Sequence, residues 1–139
     1  DNGEGELSDA ASVLDWLQQY NTNSKICWIA GFSFGSWIAM QLLMRRPELN
    51  GFVCVSPPVN ERDFNFLAPC PSPGIIISGE KDTITSFDSA KILSEKLQKQ
   101  KKAEITFKGV KGADHFYENH KSEFYSLVDN YIKKKLNKT

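Results

Sequence analysis

Apolar residues recur along this 139-residue chain in two rhythms, one helical and one of short solid runs. Residues 8–20 carry Ala10, Val13, Leu14 and Leu17 on one helical face, with Ser8 placed to cap and Asp9 in the first turn. Residues 21–25 read as a turn. Residues 26–30 (ICWIA) are wholly apolar and too short for a helix, which predicts a strand covered on both faces in a parallel sheet. A sharp turn over residues 31–35 leads into a helix over residues 34–46, apolar at Trp37, Ile38, Met40, Leu42 and Leu43 and stopped by Pro47. Residues 52–55 predict a second strand, closed by Ser56-Pro57-Pro58. Residues 59–73 are irregular, with Pro69, Pro71 and Pro73.

Ile75, Ile76 and Ile77 predict a third buried strand, and Gly79 turns the chain. A helix over residues 86–99 sets Ala90, Ile92, Leu93 and Leu97 inward. Residues 104–110 alternate like a fourth strand nearer a sheet edge. The last helix, residues 118–136, carries a stripe of Phe124, Leu127, Val128, Tyr131 and Ile132. Strand and helix alternate throughout, without repeat or low-complexity linker. The fold class is therefore α/β, a three-layer sandwich on a mostly parallel sheet, forming one domain over residues 1–139.

Composition narrows the function classes. Lys plus Arg and Asp plus Glu each number 17, so the net charge is zero and gives no global reason to bind nucleic acid or a membrane. No run approaches the ~18 apolar residues of a membrane span. Charge is uneven, with four basic and nine acidic residues in 1–80 against thirteen and eight in 81–139. The basic end, Lys133, Lys134, Lys135 and Lys138, lacks interleaved aromatics and reads as a solvated last helical turn. Cys27, Cys54 and Cys70 have no metal-site or redox spacing, so neither metal nor organic cofactor is expected. Three thiols without a leader favour a reducing cytoplasm.

The chemistry centres on Gly31-Phe32-Ser33-Phe34-Gly35, a Gly-x-Ser-x-Gly turn with an apolar strand leading in and an amphipathic helix leading out. The two glycines are expected to let strand and helix approach while Ser33 is lifted above the sheet edge. The Phe34 N–H, at the helix start, is an oxyanion donor. A serine hydroxyl needs a base. Of the two histidines, His115 follows the fourth strand at the same sheet edge as Ser33, whereas His120 lies at the last helix and suits a solvent-facing role. Asp82, leaving the third strand at that edge, is the carboxylate to orient His115, with Glu80 in reserve. Asp114 adjoins His115 but is poorly placed, because neighbouring side chains rarely face each other. The order Ser33, Asp82, His115 is that of α/β-hydrolases.

On residues 1–16, 28–37, 55–58, 77–83 and 110–117 the chain resembles the α/β-hydrolase superfamily, and within it small bacterial hydrolases related to dienelactone hydrolases. The resemblance implies Ser33 as nucleophile, Asp82 as acid and His115 as base. It departs from dienelactone hydrolases proper, which carry a cysteine where this chain has Ser33. It also implies several strands ahead of the nucleophile strand and a second oxyanion N–H from an earlier loop. Here only one helix precedes Ile26, so the chain is expected to lack the N-terminal strands and to be the C-terminal part of a longer protein. The edge of the first strand would then be open to pairing with another chain or a second copy.

The function expected is a serine hydrolase forming an acyl-enzyme on a small ester, thioester or amide. The alternatives are a serine peptidase of the prolyl-peptidase-like branch and a non-catalytic α/β-hydrolase-fold binding protein. Residues 56–73 are short for a lid, which favours small substrates. Phe32, Phe34 and Phe64 or Phe66 are candidates to line a pocket, though plain core packing is the favoured reading of them.

Overall fold

The computed structural model describes residues 2–137. Four parallel strands, β1 (Trp28–Phe32), β2 (Gly51–Val55), β3 (Gly74–Gly79) and β4 (Ile105–Val110), lie side by side in chain order. The helices are α1 (Glu4–Tyr20), α2 (Phe34–Arg45), α3 (Phe87–Gln100) and α4 (Lys121–Leu136). A short 3₁₀ turn, Asn65–Leu67, interrupts the long connection from β2 to β3.

Successive strand residues point to opposite faces, and that alternation divides the core in two. Phe52, Cys54 and Ile76 pack with Leu7 and Leu14 of α1, Met40 and Leu43 of α2, and Leu93 and Leu97 of α3. Val53, Val55, Ile75 and Ile77 face the other way and meet Tyr131, Phe124, Leu127 and Val128 of α4. β2 and β3 are buried along their whole length, as solid apolar runs require. This is the expected three-layer α/β arrangement, with all described strands parallel.

Several boundaries and faces differ from the pattern reading. Helix α1 begins four residues early because Gly3 sits at its N-cap in the left-handed region (φ 85), with Glu4 and Glu6 in the first turn; Ser8 is inside the helix and caps nothing. Val13 and Leu17 are exposed because α1 packs chiefly on α2 through a narrow stripe that includes Leu7 and Leu14. Strand β1 starts at Trp28, leaving Ile26 outside it and exposed. It is an edge strand whose residues are half-buried or exposed, in contrast to the fully covered strand expected. Ile92 faces solvent, while Ala90, Leu93 and Leu97 take the inward positions assigned to them. The last helix starts at Lys121, with His120 at its N-cap position.

Candidate active site

Parallel strands deliver every connection that follows them to the same sheet edge. Ser33 follows β1, Ser56 follows β2, Asp82 lies beyond β3 and His115 beyond β4. The turn after β1 is tight. Ser33 has φ 54 and ψ −124, a conformation that side chains of L-residues rarely adopt, and its N–H donates to the Val55 carbonyl at 2.8 Å. Its carbonyl in turn accepts from the Ser36 N–H (2.9 Å) and the buried Ser36 hydroxyl (2.6 Å), starting α2 directly. A Cβ on Gly31 would stand 2.5 Å from the Gly35 carbonyl oxygen, so this position demands glycine. Gly35 is different: a Cβ there meets nothing within 4 Å, and the second glycine of the motif has no steric duty in this chain.

Ser33, His115 and Asp82 form one hydrogen-bonded line. His115 Nε2 is 3.0 Å from Ser33 Oγ, and His115 Nδ1 is 2.7 Å from Asp82 Oδ2. An ionised carboxylate only accepts, so Nδ1 carries the proton and Nε2 is left to accept from the serine hydroxyl. The His115 side chain is 4% exposed and that of Asp82 is fully buried. Phe34 is the first residue of α2, and its N–H is one of the four that a helix start leaves without an internal partner. Glu80 is exposed and takes no part in the line. Asp114 turns its carboxylate to the Glu118 N–H (2.9 Å), away from the imidazole.

The carboxylate is held by a turn of its own. Asp82 Oδ1 accepts from the main-chain N–H groups of Ile84 and Thr85, each at 2.8 Å, and Oδ2 accepts from the Thr85 hydroxyl at 2.7 Å. Burial alone would raise its pKa. The donors of Thr85, His115 and Ile84 outweigh that, holding the carboxyl below the ordinary aspartate range. Asp82 is therefore an anion near neutral pH, able to orient a neutral imidazole and to stabilise a charged one. Thr85 is 3% exposed, and its hydroxyl also lies 3.3 Å from His115 Nδ1.

Thr85, Ser56 and Tyr117 are polar groups at the site that the sequence pattern did not single out. The available signal was a serine between a solid apolar strand and two prolines, a setting in which a polar side chain must find a buried partner. The surround is otherwise aromatic. Phe32 and Phe116 are exposed, and their ring centroids stand 5.1 and 4.9 Å from that of His115. Both also line an apolar cavity of about 650 Å³ between β1 and α4. Phe64 is buried and Phe66 packs on the core, while Phe34 lies against Trp37 in a tilted arrangement beneath the Arg62 guanidinium. Among the described residues no cluster of three or more His, Cys, Asp or Glu side chains is arranged to hold a metal ion. None of the described helices is long and apolar enough to cross a membrane.

Comparison with known proteins agrees with this fold. The sequence pattern of the dienelactone hydrolase family matches residues 2–138. An uncharacterised protein of Rickettsia prowazekii is 51% identical over an alignment of 136 residues, and the match covers 95% of this chain and 57% of that protein. A solved structure from Agrobacterium tumefaciens, of a protein of unknown function provisionally placed among the α/β hydrolases, superposes with a TM-score of 0.95 at 50% identity. It covers 99% of this chain and 63% of its own. A Coxiella burnetii α/β serine hydrolase homologue gives 0.82 at 30% identity over 92% of this chain and 59% of its own. The chain thus spans about three fifths of the length of these relatives. Matched along nearly all of its length by that pattern, it belongs to the dienelactone hydrolase family of α/β hydrolases.

Proposed function

We propose that this chain carries the reacting groups of a serine hydrolase acting through an acyl-enzyme on a small ester, thioester or amide. The observation that carries the reading is the unbroken line Asp82–His115–Ser33, with the serine held in a strained backbone at the mouth of a helix. Ser33 Oγ attacks the substrate carbonyl as its proton passes to His115 Nε2. The Phe34 N–H and the start of α2 stabilise the oxyanion, since a helix N-terminus favours negative charge. Asp82 stabilises the imidazolium. The imidazolium then protonates the leaving group, and water repeats the sequence in reverse to free the acid and Ser33.

The second oxyanion N–H is proposed to come from polypeptide beyond these residues. The relatives are longer, and among the described residues β1 ends the sheet, with no partner strand on its outer edge beside Ser33. Losing one such donor typically costs ~10²–10³ in rate, so this chain alone is expected to turn over slowly. Residues 56–73 hold a three-residue 3₁₀ turn as their regular structure, too little for a lid, which suits small acyl groups. Hydrolysis of p-nitrophenyl acetate and butyrate tests the reading. Turnover should fall roughly 10³-fold or more in Ser33→Ala and in His115→Ala. Equal turnover by wild type and both variants would end it.

A further inference from the structure

The loop that presents His115 is fastened from an unexpected direction. Ser56, the first residue after β2, is fully buried and sits in the left-handed region at φ 49. Tyr117, two residues past His115, is 3% exposed and has φ 55. Side chains rarely tolerate such backbone angles, and here two residues that do are hydrogen-bonded to each other, Ser56 Oγ to Tyr117 Oη at 3.0 Å. Ser56 Oγ also donates to the main-chain carbonyl of His115 at 3.2 Å.

Two hydroxyl protons serve three contacts here. Ser56 Oγ donates to the His115 carbonyl, and Tyr117 Oη donates to the Ile77 carbonyl of β3 at 3.3 Å. The contact between the two hydroxyls can be donated from either side and couples the two anchors. Burial pushes the Tyr117 phenol up to about 12, which keeps it a donor across the working range of pH. The Ser56 N–H donates to the same Ile77 carbonyl at 2.8 Å. Elsewhere the loop is tied at Ala113, whose carbonyl accepts from the Lys81 N–H at 2.9 Å.

We propose that Ser56, backed by Tyr117, is a positioning residue for the hydrolase reaction: its hydroxyl fixes the main chain at His115 so that the imidazole spans Asp82 and Ser33. The inference rests on the serine hydrolase reading for its kinetic consequence, though not for its structural one. Ser56 and Tyr117 touch no reacting atom. They act through His115, whose two ring hydrogen bonds need its backbone in one place. A shift of about 1 Å in such a group costs on the order of a hundredfold in rate.

Three variants separate the hydroxyl from the strain. Ser56→Gly removes the hydroxyl and relieves the positive φ, Ser56→Ala removes the hydroxyl and keeps the strain, and Tyr117→Phe removes only the second link. Each is read by kcat and KM on p-nitrophenyl acetate, by thermal unfolding, and by the low-field proton resonance of the His115 Nδ1–H bound to Asp82. The expected result for Ser56→Gly is a fall in kcat of roughly tenfold to a hundredfold. Its KM should stay within about twofold, its unfolding temperature should hold, and the low-field resonance should broaden or move upfield. Tyr117→Phe should show the same signs more weakly. Wild-type kcat in Ser56→Gly, or an unaltered low-field resonance, overturns the proposal. Should wild type itself neither hydrolyse the ester nor label at Ser33, the hydrolase reading fails separately. The resonance alone then decides: altered in Ser56→Gly it upholds the positioning role, unaltered it removes it.

Discussion

Ser33 stands in a backbone conformation that costs on the order of 1–3 kcal/mol for a residue with a side chain. Gly31 makes that strain possible, and the motif's second glycine does not contribute. Gly31→Ala is expected to destabilise by about 2 kcal/mol or more, because its Cβ meets the backbone of Gly35. Gly35→Ala, in the first turn of α2 with open space around it, should be neutral or stabilising by up to ~1 kcal/mol. Urea unfolding of the pair checks the contrast, and equal losses would refute it. Ser33, His115 and Asp82 were legible because a motif and two strand ends converge on one sheet edge. Ser56, Thr85 and Tyr117 were harder to read, since much of their importance lies in burial and in contacts across the fold, Ser56 reaching Thr85 and Tyr117 over 29 and 61 residues. The apolar strand and prolines flanking Ser56 mark a buried polar group without naming its partner.

Between elements, legibility followed coverage. The solid runs Phe52–Val55 and Ile75–Ile77 became strands buried on both faces, because a central parallel strand covers consecutive apolar side chains from both sides. Strand β1 has the same composition and a different fate, since composition cannot say what lies beyond an edge. Helix α1 is tied to the end of α2 by Arg46, which reaches Asp15 and Glu48 at 2.8 Å. The Arg46 hydrogen bond holds the Glu48 carboxyl down at about 2, from an ordinary 4.5. Asp82, held down by its donors against the opposing pull of burial, behaves alike. Both carboxyls bind protons more readily in the unfolded chain. The Glu48 contribution is therefore complete above about pH 4.5 and is lost as pH falls toward 2, and that of Asp82 is likewise lost as pH falls below the ordinary aspartate range. Thr85→Val deletes one donor to Asp82, raises its folded pKa and should start that loss at higher pH. Urea midpoints measured from pH 6 to pH 2 test this, and superimposable wild-type and variant curves would contradict it.

Across the whole molecule, the two sheet edges are unequal. The β4 edge lies beside α3, with Phe107 packed against Phe87. The β1 edge is open and flanked by an apolar cavity of about 650 Å³ lined by Phe32, Phe116, Phe124, Tyr125 and Val128. Exposed edges invite strand pairing, so the chain is expected to self-associate with rising concentration, and Ala30→Lys on that edge should suppress this in sedimentation velocity. Association unaffected by the lysine would place it elsewhere. The net charge of zero does nothing to oppose such contact. The central proposal, however, is chemical: the buried Asp82 anion, acting through the His115 ring, makes Ser33 a nucleophile. Treating the chain with a fluorophosphonate and mapping the adduct by mass spectrometry tests it most directly. The account predicts one adduct, on Ser33, absent in Ser33→Ala and formed far more slowly in His115→Ala. An unmodified Ser33, or one modified equally fast without His115, would contradict it.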